Sequence, residues 1–398
     1  MVASTSDIVI AGGGLAAVRT AQGVRDFGFG GSITIVSDEA ATPYDRPPLS
    51  KAYLLGKAGA DDICLASGNQ LAELGVQLHL GSPVVGLDRA TKQLLVGAGE
   101  RLGYARLVVA TGARPHRLVG LEGRANVHVL RTMADADALR HDLRPGARIG
   151  IVGAGFIGLE IAAVAVSLGC EVTVFEATAA PLASILGAEV AACVQRWHER
   201  RGVGFRCAST IAHVEADPTV RTLHTTDGSS VPVDAVVVGI GQRPNVEWLA
   251  GSGLELAPGL VCDEHGRTLD PAVFGLGDAT CVRIGQRPCR PSRHWTATTE
   301  QARRVAALLC GKLNSEPVIH DNYFWSDQHG LRLTFAGDIP PNPRLAWLRG
   351  GPEADRFAVA YCNESDEICA IFTVGSPMEF LTHSEPIRAG RRVRLESV

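Results

Sequence analysis

The sequence predicts an α/β protein in which two doubly wound βαβ units are followed by a small C-terminal α+β domain with an antiparallel sheet. Three observations predict this. The glycine-rich turn AGGGLAA (Ala11 to Ala17) stands between a strand-like run and a helix-like run. A second turn, VGAGFIGLE (Val152 to Glu160), repeats that arrangement near residue 150. From about Asp321 the pattern changes to short alternating runs that read as antiparallel strands.

The elements follow in order. Asp7 to Ala11 is apolar and enters the first turn; Leu15 to about Phe27 is helical; Ser32 to Val36 (SITIV) is β-branched and completes a βαβ unit. Tyr44 to Lys51 (YDRPPLSK) is expected to form no regular element, because paired prolines fix φ and remove donors. Arg106 to Gly112 (RLVVATG) reads as a buried strand ending in glycine. The second unit comprises Arg148 to Val152, the turn, a helix from Phe156 to Leu168 and the strand Glu171 to Phe175. Ala235 to Gly241 (AVVVGIG) is another strand running into glycine, and Val273 to Ala279 (VFGLGDA) delivers an aspartate. Thr296 to Leu309 is helical. Leu331 to Ala336, Phe357 to Cys362 and Ile368 to Val374 are antiparallel strands, the last two joined through the turn Asn363 to Glu367.

Composition narrows the function. A chain of 398 residues, 46% apolar and 20% charged, reads as globular with two or three domains. A net charge of -4 argues against nucleic-acid binding. Arg388, Arg391, Arg392 and Arg394 read first as a solvated tail and second as a docking site for an acidic partner. Met1 to Asp7 lacks signal-peptide features, and no apolar run is long enough to span a membrane, so a cytoplasmic location is expected. The ten cysteines include no C-x-x-C, and reduced thiols are expected, with Cys281 and Cys289 serving packing.

Each glycine turn can hold a pyrophosphate on a helix N-terminus. Two turns imply two dinucleotides between which electrons pass, hence a flavoprotein fed by a nicotinamide. In the first turn Gly12 permits the tight bend and Gly14 the close backbone approach, with Ala17 small enough for helix packing. Asp38 or Glu39 can bond ribose hydroxyls, Asp38 being preferred by position. In the second turn Gly153, Gly155 and Gly158 are all present, followed by Glu176. A carboxylate there repels a 2′-phosphate, and Ala177 to Pro181 hold no arginine, so NADH is expected rather than NADPH. Asp278 fits a ribityl hydroxyl or, alternatively, an N-cap or a turn.

AGGGLAA, PYDRPPLSK, LVVATGARP, GAGFIGLE, GIGQRPN, VFGLGDA and YFWSDQ together resemble the FAD-dependent, NADH-using ferredoxin reductases of bacterial ring-hydroxylating oxygenases and cytochromes P450. The resemblance runs from about Asp7 to Val374, and PPLSK and FWSDQ are its most specific parts. It implies a glutathione-reductase-like fold with an FAD domain over 1–113 and 245–320, an NAD domain over 114–244 and an interface domain over 321–398. It places Ala16, Asp38, Lys51, Val84, Arg131, Asp278 and Trp295 at FAD, where Gly12, Gly14, Leu15, Arg46, Ala110, Thr111 and Gly112 complete the set. The NAD set is Gly153, Gly155, Phe156, Ile157, Gly158, Glu160, Glu176, Gly239, Ile240 and Gly241. Lys51, paired with Glu160, is implied to lie near flavin N5, and Trp295 and Trp325 to flank the flavin or simply to pack.

The implied activity is hydride transfer from NADH to FAD and single-electron delivery to an acidic 2Fe-2S ferredoxin, by a monomer or weak dimer that binds neither nucleic acid nor membrane. Arg46, Arg114 and Arg117 are docking candidates. The segment Arg293-His294-Trp295-Thr296 departs from the family's usual acid and asparagine, which bears on partner choice, and Ala105 replaces a frequent aspartate. A disulfide reductase is excluded because Tyr44 to Lys51 holds no cysteine and Cys64 is unpaired in sequence. An NADH oxidase or a small-quinone, monodehydroascorbate or other small-acceptor reductase remains an alternative, as does a flavin-binding signalling protein resembling apoptosis-inducing factor.

Overall fold

The computed structural model describes residues 4–216, 218–285, 288–291, 295–313, 322–391 and 393–395. The chain divides into two compact units: 1–45 with 60–114 and 243–320, and 46–59 with 115–242 and 321–398.

In the first unit, β1 (Ser4–Ala11) leads through the glycine turn into α1 (Leu15–Asp26) and on to β2 (Ile33–Val36). β1 is central, parallel both to β2 (Ile8 opposite Ile33) and to β3 (Glu100–Val109; Ile10 opposite Val108). Successive side chains on β1 point to opposite faces. Ile8 and Ile10 therefore join the core beneath α1, whereas Val9 and Ala11 join a second core on the other face. Burial on both faces explains why the run is apolar without alternation. α1 turns Ala17, Val18, Ala21 and Val24 inward, and its Gly23 lies against Ala306 of the helix Trp295–Leu309. The strand Val273–Gly275 pairs with β3 and hands the chain to the turn carrying Asp278.

The second unit contains a five-stranded parallel sheet. Its strands run in the order Val203–Arg206, β5 (Glu171–Phe175), β4 (Arg148–Val152), β6 (Ala235–Val238) and Val127–His128. α2 (Phe156–Ser167) connects β4 to β5, and α3 (Ala188–Glu199) follows. This unit also holds a six-stranded antiparallel sheet that begins with β7 (Phe324–Gln328), and the strands Phe357–Cys362 and Glu367–Val374 form the expected hairpin. The predicted fold class is therefore the observed one.

Three local expectations are corrected. PPLSK is not irregular: Pro47–Ser50 forms a turn of 3₁₀ helix, because prolines at the first helical positions lack only N–H groups that no intrahelical carbonyl would accept. The arginine-rich end is not a solvated tail. Arg388 closes the helix Pro377–Arg388 with its guanidinium over the Tyr323 ring at 5.3 Å, and Val393–Arg394 pairs with Glu367 and Ile368. Arg392 lies outside the described residues. Finally, Cys281 and Cys289 are not separate thiols. The pairing of Thr280–Val282 with Arg290–Pro291 folds the chain back until their Cα atoms are 5.6 Å apart, and the two are joined in a disulfide. The other eight cysteines form no disulfide. Among the described residues no helix is long and apolar enough to cross a membrane.

Candidate functional site: two nucleotide turns and a buried ion pair

The first glycine turn is built for a dinucleotide. Gly12 has φ +123°, and a Cβ on it would strike the carbonyl of Ala110 at the end of β3. Gly14 is the N-cap of α1, and the space where its Cβ would stand is empty to 4 Å. A close-packed bend beside an open helix N-terminus is the geometry that receives a pyrophosphate, so the residues present fit FAD. Asp38 is exposed just beyond β2, whereas Glu39 accepts a hydrogen bond from the Tyr44 hydroxyl. Leu15 and Ala16 open α1. Val84 begins a strand of the same sheet, and Ala110, Thr111 and Gly112 leave β3, with Thr111 Oγ1 donating to the Asn245 carbonyl at 2.6 Å. Asp278 lies in a 3₁₀ turn, as its turn reading allows, beside Gly277, whose N–H donates to Gln301 at 2.8 Å. Trp295 Nε1 donates to Asp45 at 2.9 Å. Arg293 and His294 lie outside the described residues.

The second turn repeats this design in the second unit. Gly153 has φ +102°, and a Cβ on it would press on the Gly239 carbonyl beyond β6. A Cβ on Gly158 would strike the Gly153 carbonyl, while Gly155, the N-cap of α2, is open. Ile157 and Ile240 are exposed beside this turn, and Gly241 takes φ +95°. Phe156 packs on Phe324 with ring centres 4.7 Å apart. Glu176 follows β5, with one carboxylate oxygen accepting from Ala154 N at 2.8 Å and the other from the N–H and hydroxyl of Thr178, both at 2.8 Å. These bonds orient its charge beside the turn.

Between turn and C-terminal sheet in this unit lies a polar cluster. α2 is largely apolar and buried from Gly158 to Ala165, and Glu160 is its one charge, 5% exposed. A buried carboxylate requires compensation. Lys51 Nζ supplies it at 2.8 Å, and the hydroxyls of Ser50 and Ser326 both donate to Glu160, the latter at 2.5 Å. Lys51 also donates to the Pro47 carbonyl at 3.2 Å, so the 3₁₀ turn fixes both ends of its side chain. Arg46, just before that turn, donates to the Arg131 carbonyl at 2.5 Å. Arg46 and Arg114 are consequently not free docking arginines, since Arg114 is bound to Glu247 and Asn245; Arg117 is exposed.

Sequence reasoning missed Ser326, Gln328 and His198. A signal was present: alternation along β7 turns Phe324, Ser326 and Gln328 inward, so FWSDQ places two polar residues on a buried face. Gln328 Nε2 donates to Ser326 at 2.9 Å, and His198, fully buried on α3, meets Gln328 Oε1 at 2.8 Å. Burial, then the neighbouring His329 and Arg201, push the His198 pKa down to about 3. The unfolded chain, with an ordinary histidine value of about 6.5, binds the extra proton first on acidification. Stability from a neutral His198 is therefore present above about pH 6.5 and is lost progressively toward pH 3, at about 1.4 kcal/mol per pH unit. Denaturant unfolding at two pH values checks this: moving from about pH 7 to about pH 5 is expected to remove about 2 kcal/mol, and His198→Gln to shrink that loss.

Comparison with known proteins agrees with this geometry. Residues 6–303 match the family described as pyridine nucleotide-disulphide oxidoreductase, and residues 323–398 match the reductase C-terminal family. The chain is 36% identical over 387 residues to putidaredoxin reductase of Pseudomonas putida, covering 95% of this chain and 90% of that one. It is 35% identical over 377 residues to the ferredoxin–NAD(+) reductase component of the p-cumate 2,3-dioxygenase system of Pseudomonas putida, covering 94% and 91%. The crystal structure of the covalent putidaredoxin reductase–putidaredoxin complex superimposes with a TM-score of 0.90 at 34% identity, covering 97% of this chain and 94% of that one. Two glycine turns, a cysteine-free PPLSK segment and a C-terminal antiparallel sheet thus converge with these matches: the chain belongs to the pyridine nucleotide-disulphide oxidoreductase family, among its ferredoxin–NAD(+) reductases.

Proposed function

We infer that this protein is an FAD-dependent NADH:ferredoxin reductase that passes single electrons to an acidic 2Fe-2S ferredoxin serving a Rieske oxygenase or a cytochrome P450. The observation that carries this reading is Lys51 ion-paired with Glu160 in the segment where a disulfide reductase needs two cysteines. FAD, when bound, supplies the two-electron to one-electron conversion. The chain's own residues bind, orient and provide charge. The first-turn residues with Asp38, Val84 and Asp278 are assigned to FAD, along with Arg46, Lys51, Arg131 and Trp295. The second turn, with Glu176, receives NADH, its open helix N-terminus meeting the pyrophosphate. Lys51 supplies the positive charge that favours hydride arrival, and Glu160, Ser50 and Pro47 keep it in place.

The assignment of 1–113 with 245–320 to FAD, 114–244 to NAD and 321–398 to the interface goes with this reading. So do a monomeric or weakly dimeric state, no affinity for nucleic acid, and work in the cytoplasm, where NADH is available. Stopped-flow mixing of NADH-reduced holoprotein with 2Fe-2S ferredoxins tests it: fast ferredoxin reduction, and cytochrome c reduction only when ferredoxin is added, are the expected results. Equal cytochrome c reduction without ferredoxin would instead identify a small-acceptor reductase.

Glu176 leads to a separate expectation. NADH is expected to exceed NADPH in kcat/KM by about 10²-fold, and Glu176→Ala to narrow the ratio about tenfold, each factor of ten being about 1.4 kcal/mol. Steady-state kinetics with both nucleotides measures it, and a ratio unchanged in the variant would remove Glu176 from the specificity argument.

A further inference from the structure

The polar residues behind Glu160 form one continuous chain with a fixed direction. Glu160, ion-paired with Lys51, is a carboxylate and only accepts. Ser326 Oγ therefore gives its proton to Glu160, and its lone pairs are left to accept from Gln328 Nε2. That orientation turns the Gln328 oxygen to His198 Nε2, which must carry a proton to meet it. His198 Nδ1 is then a lone pair, and His329 Nε2 donates to it at 2.9 Å. Every donor points toward Glu160. No proton needs to travel along the chain, and the amide of Gln328 is a poor relay for one; the chain orients.

We propose that His198 is a positioning residue for hydride transfer from NADH, holding Glu160, and through it Lys51, by way of Gln328 and Ser326. The proposal rests on the reductase reading given above. Its physical basis is the ambiguity of an amide. Without a donor at His198, the Gln328 side chain is free to rotate by half a turn and present its oxygen to Ser326. The serine hydroxyl then has a second acceptor to choose, Glu160 loses a buried donor, and the carboxylate is no longer pinned between Ser326 and Lys51.

The surroundings of His198 fit this task. Its ring is enclosed by Trp197, Phe205 and His329, with ring centres 5.0, 6.1 and 4.8 Å away. An imidazole buried among rings costs desolvation that an apolar residue would not incur, so its hydrogen bonds are the reason to keep it. His329 sits at the two-residue turn after β7 with φ +49°, a backbone state that aims its ring at His198, and it is half-buried. Burial and Arg201 lower the basicity of both rings, which keeps them in the neutral form that the donor order requires.

Two measurements test the proposal. In the wild-type holoprotein labelled with 15N-histidine, long-range NMR correlations are expected to show His198 as the Nε2–H tautomer; the Nδ1–H tautomer overturns the donor order. In stopped-flow reduction by NADH, His198→Phe is expected to be slower by about tenfold with little change in KM, and His198→Gln, whose amide N–H can replace Nε2, to recover to within about threefold of wild type. Equal rates for wild type and His198→Phe, or a His198→Gln as slow as His198→Phe, reject the role. If His198→Phe does not fold, Gln328→Leu takes its place under the same criteria. A wild-type protein that NADH fails to reduce would refute the reductase reading instead, and the tautomer result would still stand or fall separately.

Discussion

Lys51→Met is expected to slow reduction of the holoprotein by NADH about 10²-fold, the usual loss when one charged donor aimed at developing negative charge is removed. The change keeps the length of the side chain but deletes the ammonium 2.8 Å from Glu160. Glu160, 5% exposed, then keeps two hydroxyl donors and loses its counter-charge. Breaking a buried pair from one side costs about 3–5 kcal/mol. The Lys51 side chain is 18% exposed, so water reaches that end and the lower part of the range applies. Stopped-flow absorbance follows the rate and denaturant unfolding the stability. A variant that is reduced as fast as wild type would take Lys51 out of the mechanism, whatever its stability.

Gly12→Ala is expected to yield protein without bound FAD. At φ +123° an L side chain is strained by about 1–3 kcal/mol. The added methyl would also stand 2.9 Å from Thr111 N and closer still to the Ala110 carbonyl, both backbone atoms that no rotamer change can move. A total of about 3 kcal/mol or more corresponds to over 10²-fold in affinity. Gly14→Ala is the informative partner. Its φ is -96° and no atom lies within 4 Å of the new methyl, so the apoprotein is expected to melt like wild type while still binding flavin poorly. The methyl there would stand in the open space that the proposed reading assigns to the pyrophosphate. Flavin absorbance per protein and the melting temperature of each apoprotein separate the two effects. Normal flavin content in Gly12→Ala would mean that the bend opens more easily than its packing indicates.

The glycine turns were legible because their requirements are local. A positive φ, a close strand exit and an open helix N-terminus are set within about ten residues, and only glycine meets them at Gly12 and Gly153. The placement of Glu176 beside the second turn was legible for the same reason, since it is the acid that follows the strand. The 3₁₀ turn at Pro47–Ser50 was not, because proline restricts two opposite outcomes, extended chain and helix start, and only the packing of Lys51 on Glu160 selects one. The role of the arginine-rich end also escaped, since a short strand at Val393–Arg394 exists only where Glu367 and Ile368 are there to pair with it.

By itself, then, the sequence determined the fold class, the two glycine turns, the carboxylate of Glu176 beside the second of them, and the absence of a cysteine pair from PPLSK. The pairing of Glu160 with Lys51 was implied by the family resemblance and is present; tertiary structure alone decided the rest of what surrounds Glu160. Its partners and theirs come from three separate segments, at 50–51, 198 and 326–329, which share no periodicity with it along the chain. A buried charge takes its meaning from whichever groups the folded chain brings within about 3 Å, and hydrogen bonds at that range carry no signal in sequence spacing.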